Sequence, residues 1–185
     1  MKGSKYYDDI YRDSIRYRLP YYNSNYYKVW QKVCEWINRG DNIADIGCGP
    51  GQFADMLFAR FEDKIKYTGV DFSGVAIKTA RELVPGYNFR WSDAKEYINK
   101  DPEYDLIILL EFLEHVDNDL DIMGLIPEGK RVIFSVPSYD SEGHVRTFAI
   151  QDEIFERYGE LININEAYRF TFTETRFITL VRGVR

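Results

Sequence analysis

Cysteine, histidine and long apolar runs are all scarce in this chain. Two cysteines among 185 residues, Cys34 and Cys48, are too few for a disulfide framework, so nothing points to secretion. The longest apolar run, Leu106 to Leu110, is five residues, against the roughly 20 needed to span a bilayer. Positive charge is the minority sign, with 24 Lys+Arg against 30 Asp+Glu and a formal net charge of −6. Affinity for a phosphate backbone comes from Lys and Arg displacing counterions, so this balance argues against nucleic acid as the main partner. The N-terminus, Met-Lys-Gly-Ser-Lys-Tyr-Tyr, lacks the apolar stretch of a signal peptide. The expectation is a cytoplasmic monomer or homodimer without a membrane partner. Repeats, low-complexity tracts and linkers are also missing, and the length suits a single domain over 1–185. Tyrosine, by contrast, is abundant and uneven: eight of the fifteen lie within the first 27 residues.

From about residue 28, short β-branched or aliphatic runs alternate with amphipathic stretches. Asn42–Ile46 reads as a buried strand, followed by a glycine turn and a helix over Gln52–Phe61 with Phe53, Met56, Leu57 and Phe61 on one face. Ile65–Asp71 is a second strand, and Ser73 caps a helix running to Leu83. Tyr87–Trp91, Tyr104–Leu110 and Arg131–Val136 read as further strands. Short helices are expected at Asp93–Ile98, near Asp119–Gly124 and at 151–158, and an antiparallel pair closes the chain, its last strand over Thr173–Val184. This alternation predicts an α/β fold, a doubly wound, mostly parallel sheet in three layers. In such sheets ligands bind beyond the carboxyl ends of the strands, near the switch point.

The chemistry-bearing residues fall at those strand ends. After the first strand comes Asp45-Ile46-Gly47-Cys48-Gly49-Pro50-Gly51-Gln52. A nicotinamide fingerprint, G-x-G-x-x-G, would place its third glycine where Gln52 stands. Asp45 beside the loop suits a ligand bearing positive charge and would repel a pyrophosphate. Asp71 ends the second strand, where a carboxylate can accept both hydroxyl protons of a ribose. Ser92-Asp93-Ala94 follows the third strand, within reach of an adenine amino group.

These residues resemble the class I, Rossmann-like, S-adenosylmethionine-dependent methyltransferases over roughly residues 40–138. The resemblance implies a seven-stranded sheet whose last strand is inserted antiparallel. It implies that Ala44–Gly51 wraps the methionine moiety, with Asp45 near its amino group, Asp71 on the ribose and Asp93 on the adenine. Gly47, Cys48, Gly49, Gly51, Gln52, Phe72, Ser92, Ala94 and Glu111 complete the expected S-adenosylmethionine site. The 1–36 segment would form a tyrosine-rich lid or helical segment, with 139–185 supplying the acceptor loop and the C-terminal strands.

The fourth strand runs into Glu111-Phe112-Leu113-Glu114-His115-Val116. In quinone-pathway O-methyltransferases and small-RNA 2′-O-methyltransferases, which this segment resembles, an E-x-x-E-H run ligates magnesium. A metal set of Glu111, Glu114, His115 and His144 follows from that resemblance. The alternative is metal-free, with Glu111, His115 and His144 catalytic as bases or orienters. Candidate substrate contacts are Tyr7, Tyr11, Tyr22, Tyr139 and Arg146. The expected activity is methylation of a hydroxyl or amine on a small molecule such as a sugar, secondary metabolite or quinone. The alternatives are a metal-dependent RNA 2′-O-methyltransferase and a catalytically silent cofactor-binding subunit.

Overall fold

The computed structural model describes residues 2–100 and 103–185; Met1, Asp101 and Pro102 lie outside the described residues. Seven strands form one sheet: β1 (Asn42–Ile46), β2 (Lys66–Asp71), β3 (Asn88–Trp91), β4 (Leu106–Leu109), β5 (Arg131–Pro137), β6 (Asn163–Thr171) and β7 (Phe177–Val184). Their order is β3-β2-β1-β4-β5-β7-β6. β1 to β5 pair in parallel, while β7 enters antiparallel between β5 and β6. The strand order reverses between β1 and β4, which is where a ligand crevice opens in a sheet of this kind.

The helices are α1 (Ser4–Asp13), α2 (Tyr27–Glu35), α3 (Gln52–Phe61), α4 (Gly74–Leu83), α5 (Ala94–Lys100), α6 (Asp119–Leu125) and α7 (Gln151–Tyr158). The α3 helix has the bounds its apolar spacing predicts, and Ser73 caps α4 by accepting the Ala76 N–H at 3.1 Å. Two apolar layers sandwich the sheet. Val29 and Trp30 of α2, Leu57 of α3 and Ile77 of α4 pack on one face with Ile43 and Ile108. Ile98 of α5, Met123 of α6 and Ile154 of α7 pack on the other with Ile46, Ile107 and Phe134. Successive strand residues point to opposite faces, so a strand covered on both sides must be apolar throughout, as Leu106–Leu109 is.

Several strand boundaries shift by a residue or more from the sequence reading, and two of the shifts have a clear physical reason. β4 stops before Leu110 because Glu111 turns out of the strand direction with φ of 50°. β7 begins at Phe177 because Thr173 to Arg176 form the β6–β7 turn, in which Thr173 Oγ1 accepts the Arg176 N–H at 3.2 Å. The local β-preference of Thr173 and Thr175 yields there to turn hydrogen bonding. Among the described residues no helix is long and apolar enough to cross a membrane.

Candidate functional site

A cavity of about 580 Å³ opens at the carboxyl ends of β1 to β4. One wall is the glycine turn between β1 and α3. Gly51 has φ of 92°, and a Cβ there would stand 3.0 Å from Ala80 Cα of α4. Gly51 therefore lies off the cavity wall and lets α3 pack close to α4, whereas Gly47, Cys48, Gly49 and Gln52 line it. Gly51→Ala is expected to cost about 1–3 kcal/mol of stability, from left-handed backbone strain plus the clash; a denaturant titration reads it.

Asp45 and Asp71 are both buried beside this turn. Tyr67 donates its hydroxyl to Asp45 Oδ2 at 2.5 Å. Burial pushes the Asp45 carboxyl up to about 7, against the pull of that hydrogen bond. Asp71 Oδ2 accepts the Gly49 N–H at 3.0 Å and Oδ1 the Ser73 N–H at 2.8 Å. Burial likewise raises Asp71 to about 6, opposed by those backbone donors. The Phe72 backbone N–H adds a third donor, and the accepting capacity that remains is on the cavity wall. Asp93 is exposed and caps α5 through Oδ1, which accepts the Lys95 N–H at 2.8 Å, leaving Oδ2 free of that role. Phe72, Ser92, Asp93 and Ala94 continue the cavity wall beyond Asp71.

Raised carboxyl pKa values carry a stability consequence. A group whose folded value exceeds its unfolded value contributes fully below the unfolded value and loses that contribution as pH rises through the folded one. For Asp45 and Asp71 the window runs from about pH 4 to about pH 7. Raised Glu111 acts in the same direction and lowered His115 and His144 in the opposite one. With the carboxyls in the majority, the ligand-free protein is expected to melt higher at pH 5 than at pH 8, and an opposite trend in thermal scans would contradict this charge balance.

The far wall comes from the β4 and β5 ends. Glu111 sits in the left-handed region, with its N–H donating to Ser135 Oγ at 2.8 Å and its Oε1 accepting from that same hydroxyl at 2.8 Å. Tyr26 also hydrogen-bonds its carboxyl, and burial raises it. Glu114 is fully buried, and neither carboxylate oxygen has a hydrogen-bond partner. Burial holds its carboxyl well above the usual range, with Glu111 adding to the shift. His115 Nδ1 meets the Gly143 carbonyl at 3.1 Å, and His144 Nδ1 meets the Tyr139 carbonyl at 3.1 Å. Those contacts assign the protons to Nδ1 and leave both Nε2 lone pairs open. Burial lowers His115 to about 4 and also lowers His144. One ligand atom each from Glu114, His115 and His144 lies within 4.8 Å of the others, and Glu111 stands outside that group.

The N-terminal segment covers the cavity. Asp8 accepts the Ser73 hydroxyl at 2.5 Å, and Tyr7 packs on Phe72 with ring centroids 5.3 Å apart. Gln52, which displaces the dinucleotide fingerprint's glycine, donates its amide to the Arg16 carbonyl at 3.1 Å and the Leu19 carbonyl at 2.5 Å. Tyr7 and Tyr11 line the cavity, joined by Tyr6, Tyr17 and Tyr26, which the sequence reading left among the undifferentiated tyrosines.

Three of the candidate substrate contacts do not line the cavity. Tyr22 is 58% exposed on the outer surface. Tyr139 turns its ring toward the Arg176 guanidinium, 4.2 Å away. Arg146 is spent elsewhere: it donates to the Leu113, Val116 and Asp117 carbonyls and pairs with Asp119 at 3.1 Å. Ser135, which clamps Glu111, gives no signal in the sequence; on β5 it reads as one more strand residue.

Comparison with known proteins places this geometry. Residues 43–133 match the methyltransferase-domain family. A trans-aconitate 2-methyltransferase of Rhodopseudomonas palustris is 43% identical over 54 residues, 29% of this chain and 21% of that protein. A carboxy-S-adenosyl-L-methionine synthase of Helicobacter pylori is 26% identical over 145 residues, 71% of this chain and 61% of that protein. The chain thus spans less than two thirds of these relatives' length. In fold it is similar to magnesium protoporphyrin IX methyltransferase from Synechocystis PCC 6803, solved with bound S-adenosylmethionine, at a TM-score of 0.73, 16% identity, and coverage of 100% of this chain and 98% of that one. The strand order with its inserted antiparallel strand is the fold these neighbours share, and within it residues 43–133 carry the methyltransferase-domain match, which supports a class I, Rossmann-like, S-adenosylmethionine-dependent methyltransferase.

Proposed function

We propose that this chain transfers the methyl group of S-adenosylmethionine to a hydroxyl or amine of a small molecule. The observation that carries the reading is Asp71, a buried carboxylate at the end of β2 that lines the cavity beside the glycine turn and is held in place by backbone donors. That arrangement fits a ribose diol. Asp45 offers negative charge to an ammonium at the methionine end, and Ser92 to Ala94 border the space for adenine. S-adenosylmethionine supplies an activated methyl: the acceptor lone pair bonds to the methyl carbon while the C–S electron pair stays on sulfur. The chain's own part is alignment, which supplies much of the acceleration in such transfers. His115 and His144 are neutral above their lowered pKa values, so an open Nε2 is able to take the acceptor's proton. Tyr7 and Tyr11 exclude water from above.

A second reading is favoured by the two orphaned oxygens of Glu114. A buried carboxylate without partners beside two imidazoles whose Nδ1 is already engaged is a donor set that fits a divalent cation. Glu114, His115 and His144 would hold the ion, which would lower the pKa of an acceptor hydroxyl. Two imidazoles to one carboxylate suit Zn²⁺ or Mn²⁺ better than the Mg²⁺ of the sequence resemblance.

Two-stage calorimetry tests both readings. S-adenosylhomocysteine is titrated to saturation, with binding expected in the micromolar range or tighter; absence of binding by calorimetry and by an equilibrium method overturns methyl transfer. Zn²⁺, Mn²⁺ and Mg²⁺ are then titrated in turn, with Glu114→Gln as control. Metal binding lost in Glu114→Gln supports the ion, and absence of binding by all three leaves the imidazoles as metal-free bases.

A further inference from the structure

Resting on the methyl-transfer reading, we infer that the acceptor carries an ammonium group, held at the cavity mouth between the Tyr6 ring and the Glu142 carboxylate. The mouth already holds such a group. The Lys2 ammonium lies 4.9 Å from the centroid of the Tyr6 ring and 3.6 Å from Glu142 Oε1. An aromatic face with a carboxylate beside it is cation-recognising chemistry, since the ring quadrupole and the anion attract the same charge. The Lys2–Glu142 pair is solvent-exposed, with side chains 47% and 74% accessible. Exposed pairs of this kind contribute little and exchange readily. Lys2 is therefore a displaceable stand-in, while Tyr6 and Glu142 are the cavity wall.

The path inward from the mouth supports the same conclusion. Tyr7 packs edge-on to Tyr6 at 5.2 Å and edge-on to His115 at 5.8 Å, so one ring separates the Tyr6 face from the imidazoles on the same cavity wall. Among the described residues, the cations on the cavity wall are Arg16 and Lys95. Lys95 is paired with Asp121 at 2.8 Å, and Arg16 lies where its carbonyl meets Gln52 of the glycine-turn wall. Arg146, the loop arginine that could have greeted an anion, is bound to carbonyls and to Asp119. A carboxylate acceptor, of the kind the name trans-aconitate 2-methyltransferase implies for that relative, would meet Glu142 at this mouth.

The test uses the protein saturated with S-adenosylhomocysteine, so that failure of the cofactor to bind overturns the methyl-transfer reading before the mouth is probed. Benzyltrimethylammonium and phenylacetate are then titrated separately at low salt, with binding read by calorimetry. The ammonium is expected to bind at least about tenfold more tightly than the carboxylate. Lys2→Gln, which removes the stand-in, is expected to tighten ammonium binding by about threefold. Glu142→Gln combined with Tyr6→Leu is expected to weaken it by about tenfold or more, and the exposure of Glu142 keeps its replacement from disturbing the fold. Equal or tighter binding of phenylacetate overturns the inference. So does weaker ammonium binding in Lys2→Gln, which would show that Lys2 is not a competitor for the site.

Discussion

Asp71→Ala is expected to weaken S-adenosylhomocysteine binding by at least about 100-fold. The carboxylate is 4% exposed, lines the cavity and is fixed in place by backbone donors, Gly49 and Ser73 among them. Two hydroxyl donors on such a group form charge-assisted hydrogen bonds of about 1.5–3 kcal/mol each, and about 1.4 kcal/mol corresponds to tenfold in affinity. The alanine variant also releases the Gly49 N–H, loosening the turn that forms the neighbouring wall. Asp71→Asn separates the two contributions: it keeps the side-chain shape but presents one acceptor instead of two, and an intermediate loss is expected. His144→Ala, on the acceptor side, should leave this affinity within about threefold. Equal losses in Asp71→Ala and His144→Ala by calorimetry would remove Asp71 from the ribose.

The largest expected loss of stability belongs to Asp119→Ala. Asp119 is fully buried at the start of α6 and gathers four donors from distant parts of the chain. Arg157 binds it through Nε at 2.7 Å and Nη2 at 2.8 Å, the Tyr158 hydroxyl donates at 2.7 Å, and Arg146 lies at 3.1 Å. Burial alone would raise its carboxyl, but Arg157, Tyr158 and Arg146 together hold it below the usual range. Removing one partner of a buried pair typically costs 3–5 kcal/mol. Arg157 is 34% exposed and regains some hydration, so about 3 kcal/mol is expected. At this chain length that is a fall in Tm of about 10 °C. The contribution of a depressed carboxyl is complete above its unfolded pKa and fades as pH drops through the folded one, so the wild-type and Asp119→Ala melting curves should converge below about pH 4. A Tm loss under about 3 °C at pH 7 would show that the two arginines find other partners.

Asp119→Ala also reaches the candidate site. Arg146 ties the segment carrying His144 to the backbone carbonyls of Leu113, Val116 and Asp117. With its counter-charge removed, this tie weakens, and His144 loses part of its fixed position relative to His115.

The parts of this protein that were legible in the sequence are those decided within a few residues. Apolar spacing over one or two turns of helix marks Gln52–Phe61 with its observed bounds, and a hydroxyl followed by an amphipathic run marks Ser73 as a cap. The glycine turn and the acids that follow β1, β2 and β3 are local as well, because a strand end next to a helix start is a short-range event. What the sequence left open concerns side chains whose partners are 20 to 40 positions away. Arg146 in isolation is a loop cation available to a substrate; only packing brings it 3.1 Å from Asp119. Glu111 and Glu114 are equivalent members of one motif until Ser135, on another strand, takes Glu111 and nothing takes Glu114. The tyrosines of the first 27 residues are alike in sequence, yet Tyr22 faces solvent while Tyr7 and Tyr11 close the cavity. Hydrophobic periodicity and turn chemistry are short-range, so the sequence by itself determined the fold class and the glycine turn that forms one wall of the cavity. Hydrogen-bond and charge partners are chosen by long-range packing, so only the tertiary structure decided which residues line the opposite wall.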